Sequence, residues 1–86
     1  MTSELIAKFI ETEQLSNKSV KIEFKKRNAV TGQFVKVTDY NELKSKNFWR
    51  IVTETNIAQW NKSNDINLVR IFNGTEFTRL SIIKNK

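Results

Sequence analysis

The sequence lacks cysteine, histidine and proline, and it contains only two glycines among its 86 residues. The first two absences exclude disulfides, thiol catalysis, histidine proton relays and zinc sites built from Cys and His. Without proline there is no Pro-rich linker, so we expect one domain over residues 2–83 and a basic tail at residues 84–86. No apolar run approaches the roughly 18 residues of a membrane span, and the acidic start at residues 1–4 is unlike a signal peptide, so we expect a cytoplasmic protein.

Positive charge is the main excess in the composition. Fifteen Lys and Arg residues stand against nine Asp and Glu residues, which gives a formal net charge of +6. Hydrophobic residues make up 38% of the chain and charged residues 28%, proportions typical of a folded soluble domain rather than a disordered chain. At this length folding hides only about 60–65% of the surface that the unfolded chain exposes, which leaves room for a single core.

The N-terminal segment has a helical pattern. Apolar residues from Leu5 to Ile10 recur at helical spacing within residues 3–14, and Thr2 or Ser3 is placed to cap the first turn. The apolar stripe is narrow and the polar face is not basic, which favours a helix packed on a sheet over a membrane-bound helix. We therefore predict an amphipathic helix of about three turns that covers one face of a sheet.

Beyond this helix the apolar residues recur at every second position, which predicts strands. The first expected strand starts at Val20 and alternates apolar with charged residues. Two later segments, Val30–Tyr40 and Asn47–Thr53, carry apolar residues on both faces, as central strands do when they are covered on both sides or bent into a barrel. Gly32 would permit such a bend, and the polar composition of residues 41–46 predicts a hairpin loop.

The C-terminal part of the chain completes the expected sheet. Residues 55–65 allow either a single helical turn or a loop. Asn73-Gly74 is a strong hairpin signal between strands expected at Ile66–Phe72 and Glu76–Ile83, because both residues tolerate positive φ. The expected fold class is α+β and mostly β: an N-terminal amphipathic helix followed by a five-stranded antiparallel, strongly bent sheet or small barrel.

The sequence contains few of the residue combinations that catalysis requires. No serine has a histidine to activate it, and neither glycine belongs to a phosphate-binding loop. Asp39 and Glu42 could share a metal, but two carboxylates make a poor magnesium site without substrate phosphates. We therefore predict that the protein is not an enzyme and needs no cofactor.

Basic residues fall in two clusters that could bind phosphates. One is the run Lys25, Lys26 and Arg27 after the first strand, and the other is Lys44, Lys46 and Arg50 around the central hairpin. Tyr40 lies where a strand is expected to run into a polar loop, so it is the best candidate to stack on a base, whereas Phe48 and Trp49 are expected in the core. Basic groups beside an exposed ring are the combination that single-stranded nucleic acid requires, although the lysines are equally consistent with an ordinary solvated surface.

Two short strings carry a family resemblance. Val30–Phe34 has the pattern apolar-x-Gly-x-apolar and is followed by Asp39 and Asn41, while residues 72–80 have the frame apolar-x-Gly-x-x-apolar-x-x-apolar. These strings resemble the two motifs of the Sm-like small barrels, the fold of Sm, archaeal LSm and bacterial Hfq proteins. The sequence departs from those motifs because Asp39 comes one residue late and Asn73 replaces the arginine.

The resemblance implies an SH3/Sm-like barrel in which two loops line a shared RNA-contact surface and the last strands pair between subunits in a ring. The residues that it places in this surface are Tyr40, Asn41, Asn73 and Gly74. A second similarity, of residues 44–52 and 70–80, is to a family of short bacterial proteins of uncharacterised function, and it implies no activity.

The prediction from sequence is a non-catalytic module that binds RNA or single-stranded nucleic acid through basic loops and an exposed aromatic residue. The predicted contact residues are Lys25, Lys26, Arg27, Tyr40, Asn41, Lys44, Lys46, Arg50, Asn73 and Gly74. The alternative is a protein-interaction or self-assembly module that uses the C-terminal hairpin, Ile66–Ile83, whose apolar side chains are guarded only by Arg70 and Arg79. A homo-oligomer formed through these strands is compatible with both functions, and no membrane partner is expected.

Overall fold

The structure is a computed structural model that describes residues 1–13 and 18–83. Its strands are β1 (Val20–Phe24), β2 (Val30–Phe34), β3 (Phe48–Thr53), β4 (Val69–Asn73) and β5 (Phe77–Ile82). Its α-helices are α1 (Ser3–Glu13), α2 (Tyr40–Ser45) and α3 (Ile57–Ser63), and single 3-10 turns occupy Glu54–Asn56, Ile66–Leu68 and Gly74–Glu76. No helix in the described part of the chain has the length and apolar character needed to cross a bilayer.

The five strands form one antiparallel sheet in the order β4-β3-β2-β1-β5. The expected combination of an N-terminal helix with a five-stranded antiparallel sheet is therefore confirmed. Within the described residues β4 and β5 lie at opposite edges and are not hydrogen-bonded to each other, so the sheet is not closed into a barrel. β1 begins at Val20 as expected, and β3 begins one residue after the expected Asn47 and ends at Thr53 as expected.

The hairpin predicted at Asn73-Gly74 is wrong, because β4 pairs with β3 whereas β5 pairs with β1. Neither residue has a positive φ. Gly74 is instead required by close packing: its N–H donates to the Asn47 carbonyl at 2.8 Å, and a Cβ at this position would lie 2.6 Å from Ile6 Cδ1 and 2.7 Å from Trp49 Nε1. Two edge strands thus follow one another in the chain through a 3-10 turn that crosses from one sheet edge to the other.

The strand expected over Val30–Tyr40 ends at Phe34, and the loop expected at residues 41–46 is helix α2. Glu42 in the first turn and Lys44 in the last turn both complement the helix dipole, which favours helix in this short polar segment. The main-chain N–H of Leu43 donates to the carbonyl of Asp39 at 3.0 Å, closing the first turn.

Residues 55–65 adopt the helical alternative over a longer stretch than a single turn. A 3-10 turn at Glu54–Asn56 runs directly into α3, which continues to Ser63. Asn64, with a φ of 53°, ends the helix in the left-handed conformation.

Apolar side chains cover both faces of the sheet, as the sequence pattern predicts for its central strands. On one face α1 packs against the sheet through a cluster whose buried members are Ile6, Ala7, Ile10, Val20, Ile22, Trp49, Ile51, Phe72, Phe77 and Leu80. On the other face Val35, Val52 and Val69 are buried, and Ile57 and Trp60 from α3 pack on them. The side chains of β3 alternate between these clusters, since Trp49 and Ile51 enter the first and Val52 the second.

Helix α1 is attached to the sheet by hydrogen bonds as well as by its apolar face. Thr2 is the residue that caps it, because the main-chain N–H of Leu5 donates to Thr2 Oγ1 at 3.2 Å. The Met1 nitrogen donates to the carbonyls of Gly74 at 3.0 Å and Phe77 at 2.7 Å. These contacts hold the start of α1 against the turn between β4 and β5.

Candidate functional site

The structure separates the basic residues near the predicted site into two groups. The α2 cluster consists of Lys44 on α2, Lys46 at the C-cap of α2, and Arg50 on β3. The cavity cluster consists of Lys26, Arg27 and Arg70, around a cavity between the segment after β1 and strand β4. The two clusters contain the same number of cations but differ in what surrounds them.

Each cation of the α2 cluster has an acidic partner. Arg50 binds Asp39 with two nitrogens, Nη2 at 2.7 Å from Oδ2 and Nε at 3.1 Å from Oδ1. Lys44 Nζ lies 3.3 Å from Glu11 Oε2, and Lys46 Nζ lies 4.0 Å from Glu42 Oε2. The positive charge of this cluster is therefore largely balanced by neighbouring carboxylates.

The pair of Asp39 and Arg50 is the tightest of these contacts. Hydrogen bonds from Arg50 hold the pKa of the Asp39 carboxyl below its ordinary value, and the same bonds raise the pKa of the Arg50 guanidinium. Asp39 occupies the N-cap position of α2, yet its carboxylate binds Arg50 and makes no capping hydrogen bond. Both groups are therefore ionised at neutral pH and satisfied by each other.

Tyr40 is the first residue of α2 and packs against the core. Its ring centroid lies 6.0 Å from that of Trp49, and Lys36 Nζ lies 4.9 Å from the ring centroid. The hydroxyl is buried and has no hydrogen-bond partner among the described residues. Burial, with a smaller contribution from Glu11, raises the pKa of the phenol. The half-buried ring thus lies at a helix start, whereas a position at the end of a strand was expected.

The cavity has a volume of about 500 Å³ and mixes cations with aromatic rings. Its lining residues are Phe24, Lys26, Arg27, Arg70, Ile71, Phe72, Asn73 and Glu76. Lys26, Arg27 and Arg70 form no ion pair with any residue in ranges 1–13 and 18–83. Glu76 is the single acidic lining residue, so the cavity carries a net positive charge.

Contacts outside the strand pairing bring the two sides of this cavity together. The Phe24 ring, at the end of β1, lies 5.8 Å from the Phe72 ring of β4 and 5.3 Å from the Phe77 ring, centroid to centroid. The main-chain N–H of Lys25 donates to the Glu76 carbonyl at 3.0 Å. The sheet therefore curves until the end of β1 meets β4, although the two strands are not hydrogen-bonded neighbours.

Arg27 connects the cations of the cavity with its rings. Its Cζ lies 5.0 Å from the Phe24 ring centroid and 5.8 Å from that of Phe72, and the side chain is exposed. These cation–π contacts hold the guanidinium over the rings without neutralising its charge. Arg27 thus presents a positioned, unpaired cation to the cavity.

Three of the predicted contact residues, Lys26, Arg27 and Asn73, line the cavity. Lys25 is exposed beside it. The others lie elsewhere: Tyr40, Asn41 and Lys44 are on α2, Lys46 is its C-cap, Arg50 is on β3, and Gly74 is buried against Asn47, Ile6 and Trp49. The predicted set is therefore divided between two regions of the structure.

Five lining residues were not predicted: Phe24, Arg70, Ile71, Phe72 and Glu76. A sequence signal did exist for Arg70, because it interrupts an apolar run in the C-terminal part of the chain, and the structure leaves Arg70 and its neighbour Ile71 exposed on β4. The local pattern does not reveal that β4 is an edge strand facing the end of β1, since this depends on tertiary structure.

A metal centre has little support in the described residues. They contain no group of three or more His, Cys, Asp or Glu side chains close enough to hold a metal ion. Asp39, which the sequence suggested as one ligand of a pair with Glu42, uses both carboxylate oxygens to accept hydrogen bonds from Arg50.

Comparisons of this chain with protein-family models, curated proteins and solved structures found no match.

Proposed function

We propose that the protein is a non-catalytic module that binds single-stranded nucleic acid, and RNA most of all, at the cavity. The observation that supports this best is the presence of three cations without ion pairs, Lys26, Arg27 and Arg70, next to the aromatic rings of a single cavity. Cations of this kind neutralise phosphates, and guanidinium and aromatic planes stack on unpaired bases. The volume of about 500 Å³ is in the usual range of ligand pockets.

The side chains suggest a division of roles. Lys26 and Arg70 bind the phosphates on either side of the cavity mouth, and Arg27 stacks on the base that enters. A base can enter only when it is unstacked and unpaired, which favours a single strand over a duplex. The α2 cluster has a secondary role, because a phosphate there must compete with Glu11, Glu42 and Asp39 for the cations.

The best test is a pair of arginine variants that remove the same charge at two places. Arg70 and Arg79 are both exposed, on the two edge strands β4 and β5, but only Arg70 lines the cavity. We expect Arg70→Ala to weaken binding of a labelled short RNA, measured by fluorescence anisotropy, by about tenfold at low salt and to reduce the salt slope by about one. Arg79→Ala should change affinity much less.

Equal losses in the two variants would locate the binding outside the cavity. Absence of binding to RNA and DNA by the unmodified protein at low salt would overturn the proposal. Tighter binding of RNA than of DNA with the same sequence is expected if the 2′-hydroxyl is contacted.

Self-assembly is a second candidate function, supported by the open sheet. In the described part of the chain, β4 and β5 each have a strand neighbour on one side only, and Ile71 on β4 is 49% exposed. Unpaired edges of this kind tend to pair with a further strand. Pairing of β4 in one copy with β5 in the next would give the ring that the Sm-like resemblance implies. Light scattering tests this, since a monomer mass at high protein concentration would contradict it.

A further inference from the structure

Glu76 is the residue that a general phosphate-binding cavity does not explain. Its carboxylate adds a negative charge to a cavity lined by three cations, and it forms no ion pair with any described residue. Its main chain is held in place because the Glu76 carbonyl accepts the N–H of Lys25 at 3.0 Å. A carboxylate in this position repels phosphate, so it strengthens binding only if the ligand offers N–H donors to it.

Asn73 supplies the opposite type of group to the same cavity. Its Oδ1 accepts from the main-chain N–H of Thr75 at 3.0 Å and from Thr75 Oγ1 at 2.8 Å. These bonds occupy the amide oxygen and fix the orientation of the side chain. The amide nitrogen has no partner among the described residues and remains available as a donor.

A carboxylate and an amide donor that line the same cavity can discriminate among the four RNA bases. Guanine presents two adjacent donors, N1–H and the 2-amino group, that match both carboxylate oxygens, and its neighbouring O6 accepts from an amide. Adenine and cytosine each present one amino group beside a ring nitrogen acceptor. Uracil presents one N–H between two carbonyl oxygens, and a carboxylate repels both of these oxygens. Guanine is therefore the base whose edge uses all of these groups.

We infer that the cavity is a guanine-nucleotide site in which Glu76 and Asn73 select the base while Lys26 and Arg70 bind its phosphates. This inference rests on the proposed binding of single-stranded nucleic acid at the same cavity. The chemistry is the same for a guanine within a strand and for a free guanine nucleotide, so the experiment must separate these two sources.

The experiment uses four short RNA oligomers, in which uridine alternates with guanosine, inosine, cytidine or adenosine. Their affinities for the protein are compared at one low salt concentration. Inosine lacks the 2-amino group and so removes one of the two donors to Glu76. We expect the guanosine oligomer to bind about tenfold more tightly than the inosine oligomer, as for the loss of one arm of a bidentate base contact.

A conservative variant tests whether Glu76 produces this preference for guanosine. Glu76→Gln should reduce the difference between guanosine and inosine to less than about twofold, because an amide offers one acceptor oxygen in place of two and can no longer accept from both guanine donors. Glu42→Gln is the matched control, since it removes the same charge from a carboxylate near the α2 cluster that does not line the cavity. Glu42→Gln should keep the full preference for guanosine.

The outcomes distinguish failure of the guanine site from failure of the proposed nucleic-acid binding. Equal, salt-sensitive binding of all four oligomers would support nucleic-acid binding and overturn the guanine site. Guanosine monophosphate is titrated separately against inosine monophosphate, with Trp fluorescence as the signal. Preferential binding of the free guanine nucleotide without binding of any oligomer would support the guanine site and overturn nucleic-acid binding, and no binding in either arm would overturn both.

Discussion

The α2 cluster and the cavity cluster have equal numbers of cations but different electrostatic surroundings. Lys44, Lys46 and Arg50 are each matched by a carboxylate within 4.0 Å. Lys26, Arg27 and Arg70 have no such match among residues 1–13 and 18–83; they line a cavity that also contains aromatic rings and a single carboxylate, that of Glu76. A basic run in a sequence is thus a poor measure of the charge that a ligand meets.

The comparison also shows where free energy is available for binding. A phosphate at the α2 cluster would exchange one anionic partner for another, so the net gain there is smaller than at cations that have no carboxylate partner to displace. A phosphate at the cavity cluster meets Lys26 and Arg70, which have no carboxylate partner to displace among the described residues, while the rings of Phe24 and Phe72 already position Arg27 for the base. The cavity should therefore dominate both affinity and salt dependence.

The largest effect is expected from removing two cations of each cluster in turn. Lys26→Ala with Arg70→Ala should weaken RNA binding by about 10- to 100-fold at low salt and lower the salt slope by about two, because two phosphate contacts are lost. Lys44→Ala with Lys46→Ala should cost less than about threefold, since both cations are already paired. Anisotropy titrations at several salt concentrations measure both quantities. A larger loss of affinity in the α2 double variant would show that RNA binds mainly at the α2 cluster.

The next effect concerns the contact that connects the two regions. Gly74 donates to the Asn47 carbonyl just beyond α2, and it begins the 3-10 turn that ends at Glu76 in the cavity. Gly74→Ala should lower the free energy of unfolding by about 1–3 kcal/mol, because the added methyl group overlaps Ile6 and Trp49. Urea unfolding followed by Trp fluorescence measures this change. Thr78→Ala, exposed on β5, is the control and should be nearly neutral.

A smaller effect on RNA affinity is expected from a substitution that leaves one cation of the α2 cluster without its ion pair, as the cations of the cavity cluster are. Asp39→Asn removes the charge that holds Arg50 and adds one to the net positive charge. We expect a two- to fivefold gain in RNA affinity at low salt, on the order of one added phosphate contact, which disappears at high salt. Unchanged affinity would show that RNA does not reach the α2 cluster. Thermal unfolding of the variant checks that the fold is retained.

The smallest expected effect is a difference in stability at acidic pH between the unmodified protein and Asp39→Asn. The pKa of Asp39 is lowered in the folded state by hydrogen bonds from Arg50, so the folded protein binds fewer protons than the unfolded chain. The stability that this group contributes is complete above its ordinary pKa of about 3.9 and is lost as the pH falls through the lower folded value. Urea unfolding below about pH 4 should therefore show a steeper loss of stability for the unmodified protein than for Asp39→Asn. Parallel pH profiles would contradict this assignment.

Several elements could be predicted because their apolar spacing is local. α1 and β1 follow from helical and alternating patterns, and β3 from apolar residues on both faces that the two clusters bury. The helix α2 was missed because its six residues include only Tyr40 and Leu43 as large apolar side chains, too few for a helical period. The hairpin was wrong because Gly74 meets a packing requirement that resembles a turn signal in sequence.

The sequence by itself determined the sign of the charge, the absence of Cys and His chemistry, and the helix and central strands, because each depends on residue type or on spacing within one segment. Only the tertiary structure decided which cations are unpaired. Lys44 meets Glu11 across 33 positions, and Arg27 meets Phe72 through the curvature of the sheet. Ion pairing depends on distances between groups that are remote in the chain, and such distances exist only once the sheet has formed.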